Sequence, residues 1–178
     1  MKKLAITFLV FVLAALIGHW GALKVTPTVI MNTAMKKMAE RGMPIHSFIP
    51  SRRITPQTQT VVRPSPDLAY SICLFDFSKI DVPLEIHAGL WEDYGSISFF
   101  DGQTNNFTTI RVEGKSSTIL LTPKGIPQPE KLANNVQYIE TPTKRGLILI
   151  RRLAPTAQAY DRVSQLAKAD RCRPMVGG

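Results

Sequence analysis

Three apolar runs separated by turn-forming clusters lie within residues 67–111, and this block constrains the fold more than any other stretch. The runs cover residues 68–77, 82–86 and 94–100. Apolar side chains occupy both alternating sets of positions in 68–77, which is rich in β-branched and aromatic residues. This pattern predicts a strand buried on both faces, although periodicity alone also permits a short buried helix. Pro64 and Pro66, just upstream, favour the strand.

The third run alternates in polarity, with Ser96 and Ser98 between Ile97 and Phe99. Such alternation is typical of a strand with one face on a core. Asp101-Gly102 follows and predicts a tight hairpin turn with positive φ at both central residues. Residues 107–112 then resume a strand pattern.

Short strand patterns and turn signals continue through the rest of the chain. Further strands are predicted at 118–121, 136–140 and 146–153, with a turn at Gly114-Lys115 and a Pro-rich loop at 123–129. Short strands at this spacing are typical of an antiparallel sandwich or barrel. The fold class we predict is therefore mainly β.

A helix is predicted near the C-terminus. Thr156 can cap a helix over 157–170, and four apolar side chains fall on one face of it: Tyr160, Val163, Leu166 and Ala167. That face would pack on the strands.

Two motifs in the central block resemble a known family. The first is Arg63-Pro-Ser-Pro-Asp67-Leu-Ala-Tyr70-Ser71, and the second joins Tyr94-Gly-Ser96 to Asp101 and Thr104-Asn105-Asn106-Phe107. In order and spacing they resemble the bacterial family catalogued as domain of unknown function 1254, over roughly residues 60 to 155. The chain departs from many longer members at Ser65, where those have Asn.

The resemblance implies a jelly-roll-like β-sandwich in the cell envelope and no established activity. It also implies a companion protein carrying the partner domain catalogued as 1214, which larger members hold in the same chain. The polar residues it selects are candidates for lining a ligand pocket at one end of the sandwich. They are Asp67, Tyr70, Asp101, Asn105, Asn106 and Arg111. The alternative is that they make Asx turns and hydrogen bonds that hold the hairpins.

An uncharged apolar run at residues 4–23 predicts a membrane-spanning helix. At about 1.5 Å per residue it spans roughly 30 Å, the thickness of the hydrocarbon core. The alternative is a cleaved signal peptide, but the cleavage pattern is poor because Trp20 or His19 would occupy the minus-three position. Lys2 and Lys3 resemble a secretory n-region. We therefore predict a single-pass protein of the cytoplasmic membrane with its domain in the periplasm.

A second helix is predicted after this anchor. Thr26 would cap it, Pro27 would be its first residue, and Gly42 would end it. Its methionine stripe either lies on the bilayer surface, as in an amphipathic helix, or packs on the domain. The predicted organisation is thus an anchor at 1–24, an amphipathic helix and Pro-rich connector at 25–58, and a sandwich with its C-terminal helix at 59–178.

The net charge of +9 is concentrated at the two ends of the chain. Residues 24–53 hold six bases and one acid, and 144–178 hold eight bases and two acids, whereas 54–143 hold six bases and ten acids. No reading helix or stacking platform for nucleic acid accompanies these bases. We predict that the basic ends face the anionic lipid bilayer or an acidic partner, with ordinary solvated charge as the alternative.

The two cysteines, Cys73 and Cys172, can form a disulfide bond in an oxidising compartment. Such a bond would hold the C-terminal region on the sheet. The alternative is two free thiols, with Cys73 packing as a small hydrophobe.

Signals for catalysis are weak, and no cofactor is predicted. His46 and His87 lack the spacing of metal ligands, and no nucleophile elbow or phosphate loop is present. Ser71 with His87 and Asp76 or Asp101 supplies the residue types of a hydrolase triad, but any chain of this size supplies them by chance. Glu92 and Asp93 beside Trp91 could form a carboxylate pair. The alternative is a surface loop, because neighbours on an extended chain point to opposite faces.

We therefore expect a membrane-anchored envelope protein whose sandwich is an interaction or assembly module. The first alternative is a small-molecule or lipid binding sandwich with a cavity lined by Tyr70, Tyr94 and Phe99. The second is a hydrolase, with a nucleophile near a base in a cleft.

Overall fold

A computed structural model describes residues 2–55, 57, 64–126 and 136–175 of the chain. The elements, in chain order, are α1 (Lys2–Glu40), β1 (Phe48–Pro50), β2 (Leu68–Asp76), β3 (Leu84–Ala88), β4 (Gly95–Asp101), β5 (Asn106–Arg111), β6 (Ser117–Pro123), β7 (Val136–Thr141), β8 (Arg145–Leu153), α2 (Ala157–Leu166), a 3-10 helix (Ala167–Ala169) and β9 (Arg171–Pro174). Two sheets form a sandwich-like β domain, with a long apolar helix before it and a short helix near its C-terminus.

The first sheet has five strands in the order β1-β2-β8-β4-β5, and the second has four in the order β7-β6-β3-β9. Strand β2 is confirmed where an apolar run on both alternating positions predicted it, and it pairs over its whole length with β8. The predicted strands after it are confirmed within two residues. The predicted antiparallel arrangement is wrong for one pair, because β6 and β7 are parallel. A parallel pair needs a crossover connection of a dozen or so residues, and the predicted Pro-rich loop at 123–129, only partly within the described residues, opens that connection.

Two strands were not predicted. Strand β1 lies in the Pro-rich connector and pairs with β2, and β9 follows α2 and pairs with β3. Both are short, so their pairing depends on the sheets that receive them.

The interior is filled by apolar side chains from both sheets. Phe75, Leu84, Ile97, Phe99 and Ile148 are 0% exposed. Gly146 belongs to the same packing, because a methyl group added there would lie 2.1 Å from the carbonyl oxygen of Phe100. A filled interior leaves the outer faces and the ends of the sandwich for recognition.

Cys73 and Cys172 form a disulfide bond across 99 residues. Cys73 lies in β2 and Cys172 in β9, so the bond joins the five-stranded sheet to the four-stranded one. By loop length, such a cross-link stabilises the folded state by about 4.7 kcal/mol.

The predicted second helix is not separate. Helix α1 runs without a break from Lys2 to Glu40, with Pro27 inside it. Thr26 therefore does not cap a new helix. The β-branched residues beside Pro27 are weak helix formers, so the helix continues against local propensity, and apolar membrane helices tolerate an internal proline. Met31 is 4% exposed, which shows that the methionine stripe packs on the domain, the alternative left open above.

One helix in the described part of the chain, α1, is long and apolar enough to cross a membrane. A signal sequence near an N-terminus meets the same criterion. Its side chains in the apolar run are exposed, with Leu4 79% and Phe8 69% accessible. An apolar helix that is either a signal or an anchor, together with a disulfide bond, indicates an extracytoplasmic domain.

The predicted turn at Asp101-Gly102 is also corrected. Strand β4 ends at Asp101 and β5 begins at Asn106, so four residues connect them. The left-handed residue is Thr104, with φ of 66°, and not Asp101 or Gly102. Hydrogen bonds made by the Asp101 side chain hold this longer turn. The C-terminal helix begins as predicted, since the Thr156 hydroxyl accepts a hydrogen bond from Ala159 N at 3.1 Å. Its α-helical part ends at Leu166 and not at 170, and a 3-10 helix follows.

Candidate functional site

Four residues stand side by side across the outer face of the five-stranded sheet. Tyr70 on β2 is opposite Arg151 on β8, Arg151 is opposite Ser96 on β4, and Ser96 is opposite Arg111 on β5. Strands in a sheet are about 4.8 Å apart, so this line is roughly 14 Å long. We call these four residues the Arg151 row.

Arg151 is the chemically distinctive member of the row. Its Nη2 donates a hydrogen bond to Ser98 Oγ at 2.6 Å, whereas its Nε is buried and has no hydrogen-bond partner. No carboxylate within the described ranges forms an ion pair with it. A buried N–H without an acceptor costs about 1–3 kcal/mol, so such a group calls for an explanation.

Two tyrosines flank the arginines of the row. The Tyr94 hydroxyl donates to Ser96 Oγ at 3.2 Å, and the Arg111 guanidinium carbon lies 5.9 Å from the centre of the Tyr94 ring. On the other side, Tyr70 Oη accepts a hydrogen bond from the Ser65 N–H at 2.8 Å. Hydroxyls and guanidinium groups on one surface suit a carboxylate or another anion.

Arg111 is open to solvent. Its side chain is 74% exposed and lies 3.8 Å from that of Glu113. An exposed pair at this distance contributes little to stability. Arg111 is therefore free to turn towards a ligand at little cost.

The seven predicted site residues divide into two groups. Tyr70, Tyr94 and Arg111 lie at or beside the row. Asp67 lies just before β2, with its side chain exposed and its carbonyl oxygen accepting from Ala154 N at 2.7 Å. Arg63, which opens the first motif, is outside the described residues. The other three, Asp101, Asn105 and Asn106, lie at the opposite end of β4, about 17 Å from the row along the strand.

The second group holds a turn. Asp101 Oδ1 accepts hydrogen bonds from Gln103 N at 2.8 Å and Asn105 N at 2.9 Å, and Asp101 Oδ2 accepts from Asn105 Nδ2 at 2.9 Å. The Asn106 amide lies 3.0 Å from Thr109 Oγ1. These contacts satisfy the buried Asp101 carboxylate within the hairpin. The interpretation as turn-forming residues therefore fits this half of the predicted site.

The predicted cavity between Tyr70, Tyr94 and Phe99 is not formed. Phe99 is 0% exposed in the core between the sheets, whereas Tyr70 and Tyr94 belong to the outer face. Successive side chains of a strand point to opposite faces, so these three cannot line one space. The expectation that these three residues line one internal cavity is wrong on this ground.

The residues of the hydrolase hypothesis are also separated. Ser71 is 3% exposed and follows the inward alternation of Cys73 and Phe75. His87 lies on the outer face of the other sheet, where its Nδ1 is 3.0 Å from Thr118 Oγ1. Glu92 and Asp93 are exposed in the segment between β3 and β4. Among the described residues, no group of three His, Cys, Asp or Glu side chains is placed to hold a metal ion.

Asp76 and His46 meet near the other end of β2. Burial alone would raise the pKa of Asp76, but hydrogen bonds from Ser78 and the Arg145 guanidinium outweigh burial and lower it. Burial lowers the pKa of His46, whose Nε2 accepts a hydrogen bond from Asp76 N at 3.1 Å. Asp76 is therefore ionised and His46 neutral at neutral pH.

Sequence reasoning missed Arg151. A signal was available, because Ile148 and Ile150 alternate inwards along β8 and Arg151 falls out of phase with them. This alternation predicts that Arg151 points outwards from the middle of a sheet face. Arg151 is not part of the family motifs.

Two solved structures were found to be similar to this chain. The VPA0106 protein from Vibrio parahaemolyticus has a similar fold, with a TM-score of 0.64 and 10% sequence identity over 84% of this chain and 35% of that one. An uncharacterized protein from Burkholderia cenocepacia matches with a TM-score of 0.44 and 13% identity over 64% of this chain and 32% of that one. This chain thus spans about a third of each solved structure.

No curated protein matches the sequence. The model of the family described as "Protein of unknown function (DUF1254)" matches residues 45–174. This match covers most of the chain and includes all nine described strands and α2. The chain therefore belongs to the DUF1254 family.

Proposed function

We propose that this protein is a single-pass protein of the cytoplasmic membrane whose DUF1254 domain lies in the periplasm and serves as an interaction module. The exposed apolar side chains of α1 support retention as an anchor, because a bilayer would cover them. The disulfide bond supports an oxidising compartment. The order β2-β8-β4 in one sheet, with β3 in the other, supports a jelly-roll-like topology.

Arg151 carries the proposal. Its guanidinium is half-buried, has an unsatisfied Nε and faces outwards beside Tyr70 and Arg111. A partner's carboxylate would pair with the positive charge of this guanidinium, which no carboxylate in the described ranges neutralises. The row therefore binds an acidic side chain of a second protein.

The companion that we propose carries the 1214 domain associated with this family. In the similar Vibrio structure the matched part is 35% of a longer polypeptide, so there this fold belongs to a larger chain. In this protein, the same surface would be available to a separate companion.

The experiment compares Arg151→Met with a matched variant, Arg52→Met, in the intact protein. Arg52 is exposed, so its loss removes the same charge without touching the row. Each variant is co-expressed with the companion, extracted in mild detergent and purified, and the companion is quantified by mass spectrometry. We expect Arg151→Met to reduce recovery at least tenfold and Arg52→Met to leave it unchanged, because breaking a desolvated charge pair costs 2–5 kcal/mol or more. Equal recovery with both variants would rule out the row as the binding surface.

A small-molecule or lipid ligand is the second candidate function. One observation favours it, a cleft between α1 and the sandwich, which lies apart from the Arg151 row.

A further inference from the structure

A cleft lies where α1 meets one end of the sandwich. Its first part is a shallow, open groove of about 430 Å³ between Thr28 and Asn32 of α1 and three loops of the domain. The loop residues that line it are Ser78, Gly102, Gln103, Thr143, Lys144 and Arg145. A second part of about 360 Å³ continues along α1 and shares Asn32 and Arg145 with the first.

The lining is basic. Lys36, Lys79, Lys144 and Arg145 line the two parts, against one acid, Asp76. Asp76 is already engaged, since its Oδ2 is 3.0 Å from Arg145 Nε. Lys79 and Lys144 are exposed and form no ion pair within the described ranges. The cleft therefore holds uncompensated positive charge.

The first part of the cleft begins at the outer edge of the lipid headgroup layer, and the second part lies farther from the membrane along α1. Thr28 is five residues beyond the end of the apolar run at Leu23, or about 8 Å along the helix. The headgroup layer extends roughly 5–8 Å beyond the hydrocarbon core. Long lysine side chains reach down several ångströms towards that layer.

Apolar side chains of α1 are exposed beside the cleft and between it and the apolar run. Val25, Val29 and Ile30 are 54–59% exposed, whereas Met31 is 4% exposed against the domain. Val25 precedes Thr28 by three residues, so it lies on the same side of the helix as the cleft, about one turn closer to the apolar run, where acyl chains would contact it. This arrangement is typical of a protein surface that rests on the membrane interface.

We infer that this cleft binds the phosphate group of an anionic phospholipid, with Lys79 and Lys144 as its main ligands. The inference rests on the proposed function, because the site needs α1 to remain in the bilayer. Arg145, held by Asp76, would contribute its outer guanidinium face, and Thr28 and Asn32 lie within the same space. The volume is at the small end of the range for ligand sites, roughly 300–1,000 Å³, which suits a headgroup.

The test uses the intact protein in detergent micelles and native mass spectrometry with added phosphatidylglycerol or phosphatidylcholine. The variant is Lys79→Gln with Lys144→Gln. The matched control is Lys115→Gln with Lys168→Gln, which removes two exposed lysines remote from the cleft, one after β5 and one in the 3-10 helix. Each lysine near a charged headgroup contributes about fivefold in affinity.

We expect the wild type and the control to prefer phosphatidylglycerol, and the cleft variant to lose about 25-fold in affinity for it, since two fivefold effects multiply. Equal losses in the cleft and control variants would overturn the site. Free glycerol phosphate is the second arm. If it binds as tightly as the lipid, the site serves soluble phosphate and the lipid assignment is overturned.

Alkaline extraction of membranes separates this inference from the proposed function. If the protein stays in the membrane but shows no preference for phosphatidylglycerol, only the headgroup site fails. If the protein is extracted as a soluble species, the anchor fails and the site fails with it.

Discussion

The guanidinium of Arg152 and the carboxylate of Asp170 form a bidentate ion pair, with both N–O distances at 2.7 Å, inside the domain. Their side chains are 1% and 0% exposed. Arg152 also donates to the Gly89 carbonyl oxygen at 3.2 Å, and Asp170 accepts from Gly89 N at 3.0 Å. The pair therefore joins β8, the end of β3 and the segment after α2.

Removing one member of this pair leaves the other charge buried. We expect Asp170→Asn to lower the free energy of unfolding by about 3–5 kcal/mol. Urea unfolding of the purified domain in detergent measures this loss. Asp161→Asn, an exposed change on α2, serves as the control and should stay within about 0.5 kcal/mol. A loss below about 1 kcal/mol for Asp170→Asn would show that the ion pair does not stabilise the fold as its geometry indicates.

Reduction of the Cys73–Cys172 bond should weaken the contact between the two sheets. We expect a reductant to lower the free energy of unfolding by up to about 4.7 kcal/mol, because a loop of about 100 residues is released in the unfolded state. The double variant Cys73→Ala, Cys172→Ala should have the same free energy of unfolding as the reduced wild type, and the reductant should not change it. Thiol titration would first establish that both cysteines are reduced. If the unfolding midpoint then stays unchanged, this account is contradicted.

Stability should fall with mild acid because of two histidines. Burial lowers the pKa of His46 below its ordinary value of 6.5, and burial with the nearby Arg171 charge lowers that of His87. The folded protein therefore binds fewer protons than the unfolded chain below about pH 6.5, so this stability is complete above that pH and is lost as pH falls through the folded pKa values.

Unfolding midpoints between pH 7.5 and 4.5 would measure this effect. The double variant His46→Gln, His87→Gln should flatten the profile over that range. The pKa values of Asp76 and Glu85 are also lowered, from ordinary values of 3.8 and 4.5, so their contributions begin to be lost only at the acid end of this range. A wild-type profile as flat as that of the variant would refute the assignment.

If Arg151 serves to bind a partner, its side chain should not stabilise the fold. We expect Arg151→Met to leave the free energy of unfolding unchanged or to raise it by up to about 1 kcal/mol, because an unsatisfied buried N–H is removed. The same urea experiment measures it beside Arg52→Met. A loss of more than about 2 kcal/mol would mean that Arg151 supports the fold instead.

Most strands could be predicted because their apolar patterns are local. Residues 68–77 and 146–153 contain enough alternating apolar positions to indicate strands without tertiary information. Strand β1 has three residues, the last of which is Pro50, and β9 carries Arg171 and Arg173 around a single cysteine. Their pairing is decided by β2 and β3, so local patterns are too weak to reveal it.

The sequence contains one indication that Arg152 is buried, but charged residues are usually exposed, and that expectation outweighs it. Arg152 is in phase with Ile148 and Ile150, the inward positions of β8. An arginine there is expected to be exposed unless a partner reaches it, and Asp170 is supplied by a distant segment. Only the folded structure brings the two together.

The candidate site was predicted in part for a similar reason. Tyr70, Tyr94 and Arg111 lie together because the pairing of β2, β8, β4 and β5 aligns them. Asp101, Asn105 and Asn106 follow in the same sequence motif but lie at the other end of β4. A motif orders residues along the chain, and strand direction decides which of them meet.

The most direct test of the whole account is the compartment of the domain in the intact protein. Alkaline phosphatase and a fluorescent protein that folds only in the cytoplasm are each fused after residue 178 and expressed in bacterial cells, and membranes are then washed at alkaline pH. The account predicts active phosphatase, no fluorescence, and both fusions retained in the membrane pellet. A fluorescent fusion with inactive phosphatase would contradict it.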